Sequence, residues 1–527
     1  MPALSDRRIA IAACVSLFSV LLLRTAWISD DAAITLRTVL NFLHGYGPVF
    51  NIDERVQAYT HPLWFLLLSL SSLITRNIYI ATFGLSVITS CIALALLLAQ
   101  TRRTWWNLLL AGLPLMFSKA FLDFSTSGLE NPLSHLLIAA CVWSVSAHGE
   151  ERPPEQRNLI AFFLLAGLLY LTRPDLLLLI APLAMRIAFA ARNNVRQLSR
   201  AMLIASLPVL LWTLFSLFYY GSPVPNTAYA KLGTGIPLAE RLQQGILYFI
   251  YSIGQDPVTP ALIGVGLGLG LRGDWTDRAL GFGILLYLLY IASIGGDFMA
   301  GRFLTAPMFA AAIIVARSII PPALPIPLAA GLSVLALTTL PHTLLSSADY
   351  NDRSVGANGI ANERGFYYRE HGLLNMSRGN LLPPAWGMPS RPPKITKVDA
   401  ICGGLGFISI NQGPSVHWID TCALADPLLS HIAPPPNPKW RIGHFIRVIP
   451  EGYRESLQQD RNLLASPTLG AYYDTIRLIT RAPLDAPGRI QAIIAANLGR
   501  RPAIPASPEA AAAPRPGQPG DIATGGP

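Results

Sequence analysis

The sequence predicts an α-helical polytopic membrane protein of about eleven transmembrane helices, followed by a small C-terminal α/β domain outside the cytoplasm. Three observations carry this expectation. Apolar segments of spanning or near-spanning length recur through residues 1–340. Charged residues make up 13% of the 527-residue chain, where a soluble domain has about a quarter. Beyond residue 340 the chain becomes polar enough to fold in water, in short runs broken by glycine and proline. The net charge of +10 comes without any basic run interleaved with aromatics, which excludes a nucleic-acid binder. An arginine excess of this kind orients membrane proteins.

Residues 9–28 form the first span, behind Arg7 and Arg8, which keep the N-terminus in the cytoplasm. A cleaved signal peptide is the alternative, but the stretch is long and lacks a clear small-residue cleavage site. Residues 29–77 then make the first outer loop. Within it, 32–43 has the helical spacing of an interfacial helix, and 61–74 is apolar but short, a second interfacial or half-inserted helix. Further spans are expected at 78–99, 104–117, 129–147, 158–171, 176–191, 201–219, 258–271, 279–294, 303–316 and 322–340. This arrangement puts Arg102, Arg103, Arg152, Arg157, Arg186, Arg192, Arg196, Arg200, Arg272, Arg278 and Arg317 on one side, the cytoplasm. Its weakest element is the glycine-rich 258–271, which, if re-entrant, would move the loop after it inside.

On the other side the same topology gathers Asp30 and Asp31, Glu130, Arg173 with Asp175, Lys231, and Asp297 with Arg302. Adjacent carboxylates at the end of a span are costly and rare, which makes Asp30 and Asp31 candidate catalytic groups. The competing reading is a cap on the next helix. One of the pair can serve as a general base while the other caps or binds Arg37, and their adjacency raises one pKa. Arg173, Lys231 and Arg302 suit a phosphate, as does His61; Glu130 and Asp297 suit sugar hydroxyls; Tyr46, Tyr59 and Trp64 suit a sugar face. Against each stands a structural alternative. The cations can snorkel or pair with Asp175 and Asp297, His61 can cap or pack, and the aromatics can anchor at the interface.

In the C-terminal part, 397–401 and 415–420 read as buried strands around a short helix at 404–410, a βαβ pattern. Cys402 and Cys422 end the two strands in an oxidising compartment, so a disulfide is expected between them. Cys14, Cys91 and Cys141 lie in spans as small packing residues. The Gly403-Gly404-Leu405-Gly406 loop lacks the dinucleotide spacing and reads as a structural turn. The soluble domain is expected over 341–500, and the Pro/Ala/Gly-rich 501–527 as a disordered tail. No acidic cluster has metal-site spacing, so neither metal nor cofactor is expected, although divalent-metal dependence stays open.

Four stretches carry a resemblance: Asp30-Asp31-Ala32 with Ile34-Thr35-Leu36-Arg37; Glu54-Arg55-Val56-Gln57-Ala58-Tyr59-Thr60-His61-Pro62-Leu63-Trp64; Thr126-Ser127-Gly128-Leu129-Glu130; and Gly295-Gly296-Asp297-Phe298-Met299-Ala300-Gly301-Arg302-Phe303. Gly443-His444-Phe445-Ile446-Arg447 and Glu451-Gly452-Tyr453 also look similar. Together they resemble polytopic glycosyltransferases that use polyprenyl-phosphate sugars, and most of all the terminal β-arabinofuranosyltransferase family of mycobacterial cell-wall arabinan synthesis. The resemblance implies the type C glycosyltransferase fold; the expected location is the bacterial inner membrane, and the odd number of spans puts the C-terminal domain outside. It also implies a decaprenyl-phosphate-linked arabinofuranose donor and a catalytic aspartate in the first outer loop, here Asp30 or Asp31. The donor-binding set becomes Arg37, Tyr59, His61, Glu130, Arg173, Lys231, Asp297 and Arg302. The soluble part looks shorter than in the mycobacterial enzymes, which leaves the acceptor open between a glycan and a protein. A transferase of another sugar such as mannose, a flippase for a lipid-linked sugar and an envelope scaffold are the rivals. A flippase should show charges near the midplane and paired interrupted helices in two related halves, and the sequence has neither.

Overall fold

The computed structural model describes residues 4–101, 104–146, 155–232, 234–338, 355–375, 386, 394–437 and 439–500. Arg102, Arg103, Arg152 and the tail expected to be disordered lie outside the described residues. The chain opens with α1 (Leu4–Thr25), α2 (Asp30–Leu43), α3 (Pro62–Thr75), α4 (Ile78–Ala99), α5 (Trp105–Phe117), the short α6 (Lys119–Phe124) and α7 (Asn131–Ser146). It continues through α8 (Gln156–Thr172), α9 (Leu177–Ala190), α10 (Val195–Tyr219), α11 (Asn226–Leu232), α12 (Leu238–Gln255), α13 (Val258–Gly270), α14 (Trp275–Ile294), α15 (Thr305–Arg317) and α16 (Pro325–Thr338). After α17 (Glu363–His371) come β1 (Lys397–Ile401), α18 (Leu405–Gln412) and β2 (Val416–Asp420), then α19 (Tyr453–Gln459), α20 (Pro467–Thr480) and α21 (Arg489–Asn497).

Each expected span is matched by a helix, but the helices differ in what they can do. Among the described residues four are long and apolar enough to cross a membrane: Asp6–Thr25, Ile78–Ala99, Val195–Tyr219 and Trp275–Ile294. The protein is therefore a membrane protein by composition and helix length, while other helices at expected spans are shorter. The shortest have distinct surroundings. All 13 residues of α15 are buried, so it is the centre of the bundle, packed by α5, α7, α13 and α14. Against this, α10 exposes Leu203, Leu207, Leu211, Leu214 and Phe218, the surface of a helix that faces lipid.

Three expectations need correction. The first span stops at Thr25, and residues 26–28 instead pair with the chain after α17: Ile28 donates to the His371 carbonyl at 3.2 Å, and Leu373 to that of Ala26 at 2.9 Å. The next helix starts at Asp30 rather than 32, because the Ser29 side chain accepts from the Ala32 N–H and is the cap. That helix is not laid in the interface either, since nearly all of it is buried and α18 covers one side. Helix α12 was not anticipated, although Leu238, Leu242, Ile246, Ile250 and Ile253 form an exposed apolar row at helical spacing.

The two strands pair in parallel from Lys397 opposite Val416 to Ile401 opposite Asp420, with α18 as their crossover. Cys402 and Cys422 are joined as a disulfide across the strand ends, with Cα atoms 5.2 Å apart. The Gly403–Gly406 loop serves the packing of α18 on α2. A Cβ at Gly406 would run into the Asp30 carbonyl and lie 2.7 Å from the Ala33 Cβ, so only glycine permits this approach.

Candidate active site

The first loop is held where three segments meet. Ser29 donates to the Ser127 carbonyl at 2.9 Å, Trp64 donates to that of Gly128 at 2.9 Å, and the 371–373 segment runs beside residues 26–28. Asp30 and Asp31 thus emerge between the 127–130 loop, α17 and α18. Successive residues on a helix point about 100° apart, so the two carboxylates face different neighbours.

Asp30 turns to α18. Its carboxylate accepts from the backbone N–H of Phe407 at 2.9 Å and of Gly406 at 3.1 Å, in the first turn of that helix. Burial raises its pKa to about 6 despite those two bonds. Asp31 is half-buried, and no hydrogen bond or ion pair engages its carboxylate among the described residues. Burial raises its pKa, and the charges it meets are Arg302, Lys231, Glu130 and Arg441.

Glu130 is the hinge of that cluster. Only 1% exposed, it lies 3.2 Å from His61 Nδ1, 3.1 Å from Arg302 Nη2 and 3.7 Å from Arg173 Nε. Burial alone would raise its pKa, but Arg302, His61 and Arg173 hold it well below the usual carboxylate range. Asp297 stands 3.6 Å from Arg302 Nη1, and its other oxygen accepts from the Phe298 N–H at 2.8 Å. The loop bearing it turns through Gly295 and Gly296 at φ +90° and +74°, a left-handed pair that reverses the chain at the end of α14. Arg173 is committed to Asp175 at 2.5 Å and Tyr287 at 3.0 Å, with Phe303 under its guanidinium. Lys231, at the end of α11, is exposed and has no hydrogen-bond or ion-pair partner among the described residues.

The structure therefore brings together Asp31, Glu130, Arg173, Lys231, Asp297 and Arg302, which are distributed over five separate segments of the sequence. His61 is beside them, but behind Glu130: its Nε2 is 2.9 Å from Thr35 Oγ1 and its Nδ1 faces Glu130, so both ring nitrogens are engaged and it orients Glu130 instead of meeting a phosphate. Two members of the expected binding set are elsewhere. Arg37 is fully buried and donates to the carbonyls of Phe50, Ser409, Gly413 and Val416, which makes it the bolt between the first loop and the C-terminal region, not a ligand of Asp30 or of a donor. Tyr59 is buried too, its hydroxyl 3.0 Å from that of Tyr220 and its ring stacked 4.5 Å from Phe65.

Sequence reasoning missed the groups that the C-terminal half contributes. Glu363, the first residue of α17, faces Asp31, Arg441, Asp30 and Asp297, and burial with those carboxylates raises its pKa to about 8. Its neighbours hold it there: Asn362 accepts from Lys119 at 2.9 Å and Arg364 lies 3.6 Å from Asp123. Arg441 sits 3.7 Å from Glu363 and over the Phe298 ring. No local pattern marks either residue. A separate cavity lined by Arg55, Gln57, Ser222, Tyr229 and His431 opens between the first loop, α11 and α20, and Asp31 is not among its walls. Among the described residues, no group of three or more His, Cys, Asp or Glu is placed to hold a metal ion.

Comparison with known proteins gives two relatives. A terminal beta-(1->2)-arabinofuranosyltransferase of Mycobacterium tuberculosis is 28% identical over 521 aligned residues, covering 81% of each chain. A protein of the same name from Corynebacterium glutamicum is 34% identical over 334 residues, which are 56% of this chain and 48% of that one. The match to the second thus spans about half of its length. No family model matches the sequence.

Proposed function

We infer that this chain, which belongs to the family of terminal β-(1→2)-arabinofuranosyltransferases, is a membrane glycosyltransferase that moves an arabinofuranose unit from a polyprenyl-phosphate donor to an acceptor outside the cytoplasm. One observation carries the site assignment: among the described residues the Asp31 carboxylate has no hydrogen-bond or ion-pair partner, and it faces the charges of Arg302, Lys231 and Arg441. Asp31 accepts the proton of the acceptor hydroxyl as that oxygen bonds to the anomeric carbon. The bond from that carbon to the donor phosphate breaks, and its electron pair leaves with the phosphate, whose charge the neighbouring cations stabilise. Such a single displacement inverts the anomeric carbon, so a product that retains the donor configuration requires a second step and a second role for Asp31.

Asp30 acts through structure. By capping α18 it fixes the first turn of α2 and hence the direction of Asp31. In this reading the membrane part has eleven spans, the N-terminus is cytoplasmic, and the site and C-terminal region are on the outer side of a bacterial inner membrane. The supporting fact is that segments separated by those spans converge on one cluster.

The test is transfer by purified protein from synthetic polyprenyl-phosphoryl arabinofuranose, beside the mannose analogue, to mixed arabinan and peptide acceptors. Arabinose transfer is expected, and the acceptor labelled then identifies the substrate class. Transfer of mannose alone contradicts the donor assignment, and movement of donor across vesicles without any transfer favours a flippase.

A further inference from the structure

The cations around Asp31 differ in what already occupies them. Arg302 is held by Glu130 and Asp297, and Arg173 by Asp175, Tyr287 and Glu130. An incoming anion would have to displace a buried carboxylate from either. Lys231 is exposed and unpaired among the described residues. Arg441 donates its Nε to the Gly359 carbonyl at 2.7 Å, and its Nη2 lies 3.7 Å from Glu363, whose pKa burial raises to about 8, so that the carboxyl is protonated at neutral pH and offers Arg441 no full counter-charge.

We propose that Lys231 and Arg441 form a two-cation clamp that binds the phosphate of the lipid-linked donor, a site completed by the C-terminal region rather than by the membrane helices alone. The proposal rests on the donor class inferred above and adds the residues that grip it.

One strap, residues 439–447, places both cations. At its start Trp440 Nε1 donates to Glu240 on α12 at 3.3 Å. In its middle, Arg441 lies 5.2 Å over the Phe298 ring and His444 meets that ring edge-on at 4.7 Å, so the strap rests on the loop that carries Asp297 and Arg302. At its end the buried Arg447 donates to the Ala230 carbonyl at 2.5 Å, one residue before Lys231, and to the Cys422 carbonyl at 3.0 Å. The backbone of Lys231 is thereby tied to the same strap that holds Arg441. Both charges act on Asp31 and on His444. Burial, with Arg441 beside it, pushes His444 down to about 4, which leaves it neutral and removes it as a third cation. The bidentate fork of Arg441 and the single ammonium of Lys231 suit a phosphodiester approached from two sides.

The experiment measures binding of polyprenyl monophosphate, without sugar, to the full chain in lipid nanodiscs. Lys231→Gln and Arg441→Gln are each expected to weaken binding about tenfold, and Arg441→Lys to recover part of the loss. Arg454→Gln, a half-buried cation of the same C-terminal region that donates to the Val398 carbonyl at 3.1 Å and lies 3.9 Å from Asp399, serves as control and is expected to bind like the parent. Among the described residues the Lys231 side chain has no hydrogen bond or ion pair to lose, so its variant stays informative even where the Arg441 variants fold poorly. Parent-like binding by Lys231→Gln or by folded Arg441→Gln overturns the clamp. Failure of the parent protein to bind polyprenyl phosphate overturns the donor class instead, so the two failures are distinguishable.

Discussion

Two regions of this protein bury comparable sets of charges, and only one of them is left with charge to spare. At the seam between the first loop and the C-terminal region, Asp53 lies 2.8 Å from His417 Nδ1 and 2.8 Å from Arg481, and Glu54 accepts from Asn51 at 2.9 Å while facing both His417 and Arg481. Burial opposes a charged His417, but Asp53 and Glu54 raise its pKa, while His417 and Arg481 hold Asp53 well below the usual carboxylate range and burial raises Glu54. Around Asp31 the counting differs. Glu130, Asp297, Arg302 and Arg173 pair with one another, whereas among the described residues the Asp31 carboxylate and the Lys231 ammonium have no hydrogen bond or ion pair, and Arg441 Nη2 meets Glu363 at 3.7 Å. Burial and charge therefore do not distinguish a reacting site from a joint. The distinguishing feature is the remainder after pairing.

Substitutions should separate the two regions. The largest effect is expected for Glu130→Gln, which leaves Arg302, Arg173 and His61 without their shared carboxylate. Loss of one member of a buried ion network costs about 3–5 kcal/mol, and transfer should fall at least about a hundredfold, read by thermal unfolding and by initial rates. Next is Arg481→Gln at the seam, expected to destabilise by about 3 kcal/mol while folded protein keeps its rate within about twofold. A large rate loss without destabilisation would show that the seam is part of the site.

Asp30→Ala comes third. Removing the cap of α18 should cost about 1 kcal/mol, seen as a lower unfolding temperature, with a modest rate loss as Asp31 loses its support. The smallest effect concerns Glu363, which faces Asp30 and Asp31 from α2, Asp297 from its loop, Arg441 from the strap and Tyr367 on its own helix. Its pKa is raised to about 8, so it is protonated below that pH and ionises above it, where it competes for Arg441. Polyprenyl-phosphate affinity should fall a few-fold as pH rises through that value, and Glu363→Gln should remove the fall. An unchanged pH profile in that variant would detach Glu363 from the site.

Much of the architecture was legible because helices and strands carry local signals. Apolar runs anticipated a helix at each expected span, and the run from 397 to 420 anticipated a parallel strand pair around a helix. The outer motifs were recognisable as one set since a topology drawn from arginines put them on one side. Roles were harder to read. Arg37 looks like a ligand cation until the carbonyls of Ser409, Gly413 and Val416, some 370 residues away in sequence, are seen to consume it. The same distance hid the cap between Asp30 and α18, and so which of two adjacent aspartates is free. Glu363 and Arg441 bear no pattern of their own, and only the fold brings them to Asp31. Helix α12 is a different case, since its apolar row was present in the sequence and went unread.

The central claim is that two neighbouring carboxylates divide into a reacting group and a brace, and the most direct measurement compares Asp31→Asn with Asp30→Asn. Arabinose transfer would be followed at saturating donor, in preparations matched for folded protein. Asn at 31 should reduce turnover by about 10²–10⁴-fold with unfolding temperature unchanged, whereas Asn at 30 should lower the unfolding temperature and reduce turnover by about tenfold at most. The reverse pattern, with Asp31→Asn active and Asp30→Asn inactive in folded protein, would contradict the account.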